Sequence, residues 1–291
     1  MRISDILKTN KVTVSCEMFP PKPGKPLENT QQVVHEIAAH KPSFMSVTYG
    51  AGGSNSKNTL SIAEEVQKSG VTALAHLTCV GQDEENLRAS INAFKASGIE
   101  NILALRGDIP EGDTAPATTF PHASDLINAI RARVRISASA AHVTRGHPES
   151  YNSDADIDGV RRKVESGCEF LTTQMFFDNN ILYNYMFKLL RHDIRVPVIA
   201  GIMPVTNAKQ IKRIMSLSSS SMPTRFKAIV DRFANNPEAM KQAGIAYATE
   251  QIIDLIANDV THIHIYTMNR PDIAGSIMTN LSKIIDGYEA E

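Results

Sequence analysis

The sequence contains little cysteine and no pair of cysteines at close spacing. Its three cysteines are Cys16, Cys79 and Cys168, which excludes a disulfide framework and a Cys-x-x-Cys zinc site as the basis of the fold. Unpaired thiols are typical of a reducing compartment, and the amino-terminal residues lack the apolar run of a signal peptide. The sequence therefore predicts a cytoplasmic protein.

An excess of charge of one sign and a long hydrophobic run are also missing. The 30 Lys and Arg residues are balanced by 31 Asp and Glu residues, which argues against a nucleic-acid backbone as the main partner. The longest nearly apolar stretch, Val196 to Val205, contains two prolines and is about half of the ~20 residues that cross a bilayer. Neither nucleic acid nor a membrane is expected as a partner.

Two glycine-rich phosphate-binding motifs are absent as well. A dinucleotide-binding open sheet carries Gly-x-Gly-x-x-Gly after its first strand, and here that place holds Phe19-Pro20-Pro21. The segment from Gly50 to Ser54 is rich in glycine but does not form a P-loop motif. A doubly wound open sheet is therefore the less favoured alternative.

The chain does contain short β-branched or apolar runs that alternate with longer segments of helical period. The runs begin near Val12, Ser43, Thr72, Asn101, Val134, Phe170, Val196 and His262. Such alternation is typical of parallel sheets, and eight units suggest a closed barrel. Before the last run, Met222–Ala234 and Pro237–Asn258 are predicted as additional helices. We therefore predict an α/β fold, a single (βα)8 TIM barrel over residues 1–291 with a helical insertion before its last strand.

Polar side chains end several of these otherwise apolar runs. Glu17 lies near the end of the first, His76 in the third, and Arg106 and Asp108 follow the fourth. Because reactive groups of such barrels lie at the carboxyl ends of the strands, these side chains are expected to converge. Glu17 has apolar neighbours, and loss of water there favours the protonated, acidic form of a carboxyl group.

Each of these residues also has a purely structural interpretation. Arg106 and Asp108 can form an ion pair at the barrel rim, and His76 can be a hydrogen-bonded rim histidine. His262 and His264 share one face of a strand, but no third metal ligand is evident at a diagnostic spacing. The residues alone predict a barrel enzyme without a metal, acting on a small polar or anionic molecule, and leave its reaction open.

Nine short motifs follow one another along almost the whole chain. They are EMFPP from Glu17, SVTYGAGG from Ser46, HLTC from His76, LRGD from Leu105, ASDL from Ala123, HPES from His147, TQ from Thr173, GIMPV from Gly201 and YTMNR from Tyr266. Together they closely resemble the methylenetetrahydrofolate reductase family. The lack of a C-terminal extension resembles the short bacterial form without a regulatory domain.

The resemblance implies a flavin-carrying (βα)8 barrel that reduces 5,10-methylenetetrahydrofolate to 5-methyltetrahydrofolate in one-carbon metabolism and methionine biosynthesis. It implies FAD as the cofactor, NADH or NADPH as the electron donor and a small-molecule folate as the substrate; a homo-oligomer is also expected. By resemblance, Glu17 is the general acid that protonates N10 of the folate. Asp108 matches an aspartate near the flavin and the pterin, where its charge favours hydride donation.

The same resemblance implies a set of binding residues. Those that match flavin contacts are Thr48, Tyr49, Ala51, His76, Arg106, Gly107, Asp108, Ala123, His147, Asp156, Arg162 and Lys163. Those that match folate or nicotinamide contacts are Gln174, Gln210 and Arg270.

Three positions depart from the family pattern. Val143-Thr144-Arg145 replaces an aromatic residue, a proline and an acid, Gly159 replaces a frequent Asn, and Ile214 stands where some members have a stacking aromatic. Two alternatives therefore stay open. One is a folate reductase that binds flavin weakly or not at all and uses NAD(P)H directly, and the other is a non-catalytic homologue that acts as a binding or electron-transfer partner.

Overall fold

The computed structural model describes residues 1–9, 11–21, 25–49, 56–107, 118–133, 137–142, 153–211 and 222–288. Its strands are β1 (Thr13–Met18), β2 (Met45–Val47), β3 (Ala73–Thr78), β4 (Asn101–Leu105), β5 (Ser137–His142), β6 (Leu171–Thr173), β7 (Val198–Ile202) and β8 (His262–Ile265). Each strand pairs in parallel with the next along the chain, and β8 pairs with β1 to close the barrel. The predicted eight-stranded parallel barrel is confirmed.

Helices surround this barrel. Those in the described part of the chain are α1 (Ile3–Ile6), α2 (Leu27–Ala38), α3 (Ser56–Lys68), α4 (Glu84–Ala96), α5 (Ala123–Arg133), α6 (Ser153–Glu165), α7 (Asn179–Arg191), α8 (Thr224–Phe233), α9 (Pro237–Ala257) and α10 (Pro271–Gly287), with a 3-10 turn at Ala208–Gln210. The two helices predicted before the last strand are α8 and α9. Among the described helices, none has the length and apolar character needed to cross a membrane.

Local sequence signals explain where several helices begin. The side chains of Asp83 and Asp178 accept hydrogen bonds from backbone N–H groups in the first turns of α4 and α7. Asn236 does the same for α9, in which Pro237 occupies the first turn. These residues satisfy N–H groups that have no partner within the helix, so each fixes the start of its helix.

Successive residues of the strands alternate between the helices and the barrel interior. On β1, Val14, Cys16 and Met18 belong to the main apolar core, which packs the strands against the helices. Strand side chains point alternately to opposite faces, so Ser15 and Glu17 lie on the inner face. On β1 the apolar side chains are therefore buried against the helices, and the polar ones face the interior of the barrel.

The amino-terminal end of the barrel is closed by a second apolar cluster. Ile3 and Leu7, from α1 and the residue after it, pack there with Phe44, Leu74, Leu103, Phe170 and Ile199. The backbone N–H of Ile3 donates to Oδ1 of Asn101 at 2.8 Å, which anchors α1 to the start of β4. This apolar plug leaves the carboxyl end of the strands as the approach to the interior.

Helix α9 packs very closely against the segment that follows β7. A Cβ atom built on Gly244 would overlap the carbonyl oxygen of Val205 and lie 2.7 Å from its carbonyl carbon. A backbone carbonyl cannot rotate away as a side chain can, so this helix position requires glycine. The close approach holds the chain after β7 in place.

We expect Gly244→Ala to lower the free energy of unfolding by about 1–3 kcal/mol, because the added methyl group forces α9 away from Val205. The matched control is Gly159→Ala in α6, where the nearest atom to a new Cβ is Nη2 of Arg162 at 3.9 Å. The free energy of unfolding of that variant is expected to stay the same or to rise by up to about 1 kcal/mol, since alanine favours a helix. Urea unfolding of the three proteins measures the difference; equal losses in both variants would contradict the packing argument.

Candidate active site

A layer of buried polar side chains lies inside the barrel above the apolar plug. The pairing of β1 with β2 places Glu17 beside Ser46, and the pairing of β1 with β8 places Ser15 beside His264. All four residues are buried. Since buried polar groups need partners, the hydrogen bonds of this layer determine which groups remain available for chemistry.

His264 is the residue that connects this layer. Its Nδ1 lies 2.8 Å from Oγ of Ser15, and its Nε2 lies 3.3 Å from Oγ of Ser46. The same Nε2 is 3.9 Å from Oε2 of Glu17. The ring stacks on Phe44 at 6.2 Å between centroids and meets the Tyr266 ring edge-on at 5.2 Å. Hydrogen bonds and packing therefore fix the orientation of the imidazole.

The segment that follows β8 clamps the end of β1. Oγ1 of Thr267 donates to the backbone carbonyl of Glu17 at 2.7 Å. The Asn269 side chain exchanges two hydrogen bonds of 2.8 Å with the backbone of Phe19. Asn269 has a φ of 56°, and Met268 before it has a φ of 53°, so the turn is a tight left-handed one. The YTMNR motif thus fixes the backbone on which Glu17 is mounted.

Tyr266 forms a wall of the interior from β8 across to β6. Its hydroxyl donates to the carbonyl of Thr173 at 2.7 Å, and a Cβ on Gly201 of β7 would lie 2.7 Å from its ring. The glycine therefore makes room for the ring. Burial, followed by the nearby charge of Glu17, raises the pKa of Tyr266 well above its usual value, so the hydroxyl stays neutral.

His76 projects from β3 and is 6% exposed. Burial, with a smaller contribution from the charge of His264, lowers the pKa of His76 to about 3, so the ring is neutral near pH 7. Within the residues that the structure describes, its Nε2 is buried and has no hydrogen-bond partner. An unsatisfied buried nitrogen at this end of the barrel indicates a place for a polar atom of a bound molecule.

Two cationic side chains lie outside this inner layer: Arg106 follows β4, and Lys163 lies in the last turn of α6. Burial raises the pKa of Cys79 to about 12, the nearby charge of Asp125 adds to this, and the charges of Arg106 and Lys163 act in the opposite direction. Burial lowers the pKa of Lys163, while Cys168 and Asp156 act in the opposite direction. Arg106 and Lys163 are donors of the kind that binds an anionic group such as a pyrophosphate, and the acids Asp125 and Asp156 lie near the same groups.

Gly107 follows Arg106 in a backbone conformation that favours glycine. Its φ is +85°, and a Cβ there would lie 3.0 Å from Cβ of Thr78. The backbone of β3 and β4 stays paired beyond the strands, since Val80 N–H donates to the carbonyl of Arg106 at 3.0 Å. The glycine therefore lets the chain after β4 lie against the end of β3.

Other residues of the predicted flavin set also lie around this end of the barrel. The carbonyl of Thr48 accepts from Oγ1 of Thr59 at 3.0 Å, and the Tyr49 hydroxyl accepts from Gln82 at 3.3 Å. Ala123 begins α5, while Asp156 is buried and Arg162 exposed on α6. Ala51, Asp108 and His147 lie outside the described residues, as do Val143-Thr144-Arg145 and Ile214.

The three residues predicted to contact folate or nicotinamide lie on different segments. Gln174 directly follows β6, and its Oε1 accepts from the backbone N–H of Met175 at 3.0 Å. Arg270 forms two hydrogen bonds, of 3.1 and 3.0 Å, with Asp272. Burial raises the pKa of Asp272, but hydrogen bonds from Arg270 and Lys241 outweigh this and bring it to about 2. Gln210 lies in the 3-10 turn.

Sequence reasoning considered His264 as one of two metal ligands and missed its actual contacts. His262 contacts Oγ1 of Thr13 at 3.0 Å. His264, two residues further along β8, contacts Ser15 and Ser46. Within the described ranges, no group of three or more His, Cys, Asp or Glu side chains could hold a metal ion. The available sequence signal was the alternation of side chains along a strand, which predicts that the two histidines share one face.

We expect His76→Gln to make the free energy of unfolding less dependent on pH. In the folded protein the pKa of His76 is about 3, whereas in the unfolded chain the ring takes up a proton below about 6.5. The contribution of the neutral, buried His76 to the stability of the protein is therefore fully present above the pKa that the ring has in the unfolded chain. It is lost as the pH falls towards the folded pKa, by about 1.4 kcal/mol for each pH unit.

Urea unfolding across this pH range, on the native protein and His76→Gln, measures the difference in slope. The exposed His122 provides the matched control as His122→Gln, which should behave like the native protein. Parallel pH dependence in the native protein and His76→Gln would show that the buried histidine is not held neutral.

Comparison with known proteins gives a consistent set of similarities. The sequence model of the family described as methylenetetrahydrofolate reductase matches residues 2–282. The 5,10-methylenetetrahydrofolate reductase of Escherichia coli (strain K12) is 30% identical over 272 residues, covering 93% of this chain and 91% of that protein. Methylenetetrahydrofolate reductase (NADH) 1 of Arabidopsis thaliana is 30% identical over 298 residues, covering 97% of this chain. The chain spans 50% of the length of that plant relative.

A solved structure of low sequence identity shares the fold. It is an uncharacterized protein from Clostridium thermocellum that binds two copies of 5-methyl-5,6,7,8-tetrahydrofolic acid, with a TM-score of 0.64 and 11% identity. The match covers 99% of this chain and 100% of that one. At this identity the likeness concerns the barrel architecture alone.

Proposed function

Because this chain belongs to the methylenetetrahydrofolate reductase family, we propose that it reduces 5,10-methylenetetrahydrofolate to 5-methyltetrahydrofolate at the carboxyl end of its barrel. The observation that carries the proposal is the buried Glu17 carboxyl, which lies above a plugged barrel floor and beside a fixed imidazole. The bacterial relatives that carry this name match over about nine tenths of their own length. The NADH-named plant relative supports a nicotinamide as the electron donor.

Glu17 is proposed as the general acid of the folate reaction. In its protonated form it gives a proton to N10 of the folate, the five-membered ring opens, and the resulting substrate cation accepts a hydride at the former methylene carbon. Glu17 is buried, and Tyr266, whose hydroxyl is neutral, lies near it.

We propose FAD as the cofactor; when bound, it supplies the hydride and is reduced again by NADH or NADPH. The residues present fit such a group: Arg106 and Lys163 supply positive charge for its phosphates, and the buried Nε2 of His76 can contact a polar edge of its ring. The proposed contacts also include Thr48, Tyr49, Ala51, Gly107, Ala123, His147, Asp156 and Arg162. Asp108 is proposed to stabilise the substrate cation by its negative charge.

The folate itself is proposed to contact Gln174, Gln210 and Arg270. Gln174 follows Thr173, whose carbonyl binds Tyr266, and Arg270 follows the turn that clamps β1. A guanidinium at this place suits a carboxylate of the substrate. A cytoplasmic location and a homo-oligomeric state stay predictions.

We expect Glu17→Gln to slow reduction of methylenetetrahydrofolate by at least ~10²-fold, because the carboxamide cannot act as an acid. Reduction of the flavin by the nicotinamide should stay within about twofold, since that half-reaction needs no proton at N10. Stopped-flow absorbance measures the two half-reactions separately. The exposed Glu85 gives the control Glu85→Gln, which should match the native protein; equal slowing of both halves in Glu17→Gln would reject the acid role.

The purified protein is expected to be yellow, with flavin absorbance bands near roughly 450 nm. The bands should bleach when NADH or NADPH is added without oxygen and return when methylenetetrahydrofolate follows. A colourless protein that still reduces the folate would indicate direct use of the nicotinamide. A coloured protein without folate turnover would indicate a non-catalytic homologue.

A further inference from the structure

One carboxylate beside the proposed folate site is held by two cations. Asp272 lies in the first turn of α10, two residues after Arg270. Its Oδ1 accepts from Nε of Arg270 at 3.1 Å, and its Oδ2 accepts from Nη2 of the same guanidinium at 3.0 Å. The Nζ of Lys241, from α9, lies 2.7 Å from the same Oδ2. We call these three side chains the Arg270 triad.

The backbone of Arg270 is fixed on both sides, so that only its side chain can change direction. Its N–H donates to the carbonyl of Thr267 at 3.0 Å, and its carbonyl accepts from Ile273 and Ala274 at 3.1 Å each as α10 begins. The fork with Asp272 occupies one edge of the guanidinium. The end of the group, Nη1 with the second N–H of Nη2, is left for another acceptor. In the described part of the chain, nothing else binds this side chain.

Lys241 comes from the helical insertion that precedes the last strand. It lies three residues before Gly244 on α9, and therefore on the same side of that helix. Gly244 packs against the carbonyl of Val205, and Met240 is buried in the apolar cluster that contains Val205 and Ile211. Packing against the chain that follows β7 thus fixes the helix position from which Lys241 reaches the triad.

The charges of the triad add up to one positive charge. Burial raises the pKa of Asp272, but hydrogen bonds from Arg270 and Lys241 outweigh this and bring it to about 2, so the carboxylate is ionised near pH 7. An Arg270–Asp272 pair alone would be neutral as a whole, and Lys241 supplies the remaining charge. Exposed ion pairs usually contribute little, but a two-pronged contact between arginine and a carboxylate within a network of charges is an exception.

We propose that Asp272 is the positioning residue of Arg270 and that Lys241 keeps the site cationic: Asp272 fixes the guanidinium so that its free end binds a carboxylate of the glutamate part of the folate. The free end offers two parallel N–H donors, which match the two oxygens of such a group. Asp272 acts through Arg270 and needs no contact with the substrate. This inference rests on the proposed function.

The first test measures binding without turnover. The probes are 5-methyltetrahydrofolate and its diamide, in which both carboxylates of the glutamate part are replaced by uncharged carboxamides. Titration calorimetry on the native protein is expected to show that the acid binds about tenfold or more tightly than the diamide. In Lys241→Met this preference should fall by about threefold or more, and its dependence on salt should weaken, because a positive charge is lost. Lys241→Arg should bind the acid as the native protein does.

The second test separates positioning from charge. Asp272→Asn removes a negative charge, so a purely electrostatic role predicts tighter binding of the acid. We expect the acid to bind about threefold or more weakly, because the carboxamide cannot accept the two parallel hydrogen bonds that direct the guanidinium. Binding of the diamide should stay near its native value. Asp272→Glu, which keeps a carboxylate, should recover part of the loss.

Kinetics provide a third measurement. Lys241→Met and Asp272→Asn should raise KM for methylenetetrahydrofolate with little change in kcat, since the carboxylate is bound equally in the ground state and in the transition state. Flavin reduction by the nicotinamide should be unchanged. The matched controls are Lys227→Met, at an exposed lysine of α8 that pairs with Asp231, and Asp286→Asn, at an exposed acid in the last turn of α10. Both should match the native protein.

The outcomes separate the inference from the function on which it rests. Equal binding of the acid and the diamide, by a native protein that reduces methylenetetrahydrofolate, would overturn the inference alone. Tighter binding of the acid by Asp272→Asn, or equal losses in the control variants, would also overturn it. A native protein that binds 5-methyltetrahydrofolate without reducing the substrate would reject the proposed function, and the binding comparison would still decide the role of the triad. A native protein that binds neither probe would reject both.

Discussion

The apolar plug at the amino-terminal end of the barrel is the constraint on which the rest of the site depends. Ile3 and Leu7 close that end against Phe44 and its neighbours, so the polar layer above is buried on every side but one. Burial makes isolated charge costly. His76 and Tyr266 are accordingly held neutral, each by burial first. Among the described residues, the other titratable groups of this layer are Glu17 and His264, which lie 3.9 Å apart.

Backbone features elsewhere serve this arrangement. Gly201 leaves the space that the Tyr266 ring crosses, and the left-handed turn at Met268 and Asn269 ties the end of β8 to the end of β1. Neither feature touches a reacting atom. The segment with this turn helps to fix the position of Glu17, since Thr267 donates to its backbone carbonyl and Asn269 binds the backbone of Phe19. The positions that matter for the site therefore include Gly201, which contributes by lacking a side chain.

Sequence periodicity was sufficient for the barrel and for the end at which polar groups gather, because alternation and strand order are local properties. It also predicted a buried Glu17, which the structure confirms. The apolar neighbours on which that prediction rested, Cys16 and Met18, lie on the opposite face of β1, and Glu17 itself lies beside Ser46 and His264. It could not provide the partners of His264. Ser15 is 249 positions away along the chain, and their contact depends on the register between β1 and β8. That register follows from closure of the whole barrel, which no short window of sequence contains.

The two half-reactions of the proposed enzyme make opposite electrostatic demands, and the barrel separates them by sector. Protonation of the folate needs a buried acid free of nearby cations, and Glu17 with His264 lies on β1 and β8. Holding phosphates needs cations, and Arg106 and Lys163 lie on the rim beyond β4 and on α6. His76 on β3 lies between these sectors. Because its ring is neutral, it adds no charge that would couple Glu17 to the cations of the other sector. One rigid sheet can thus support both chemistries without either set of charges opposing the other.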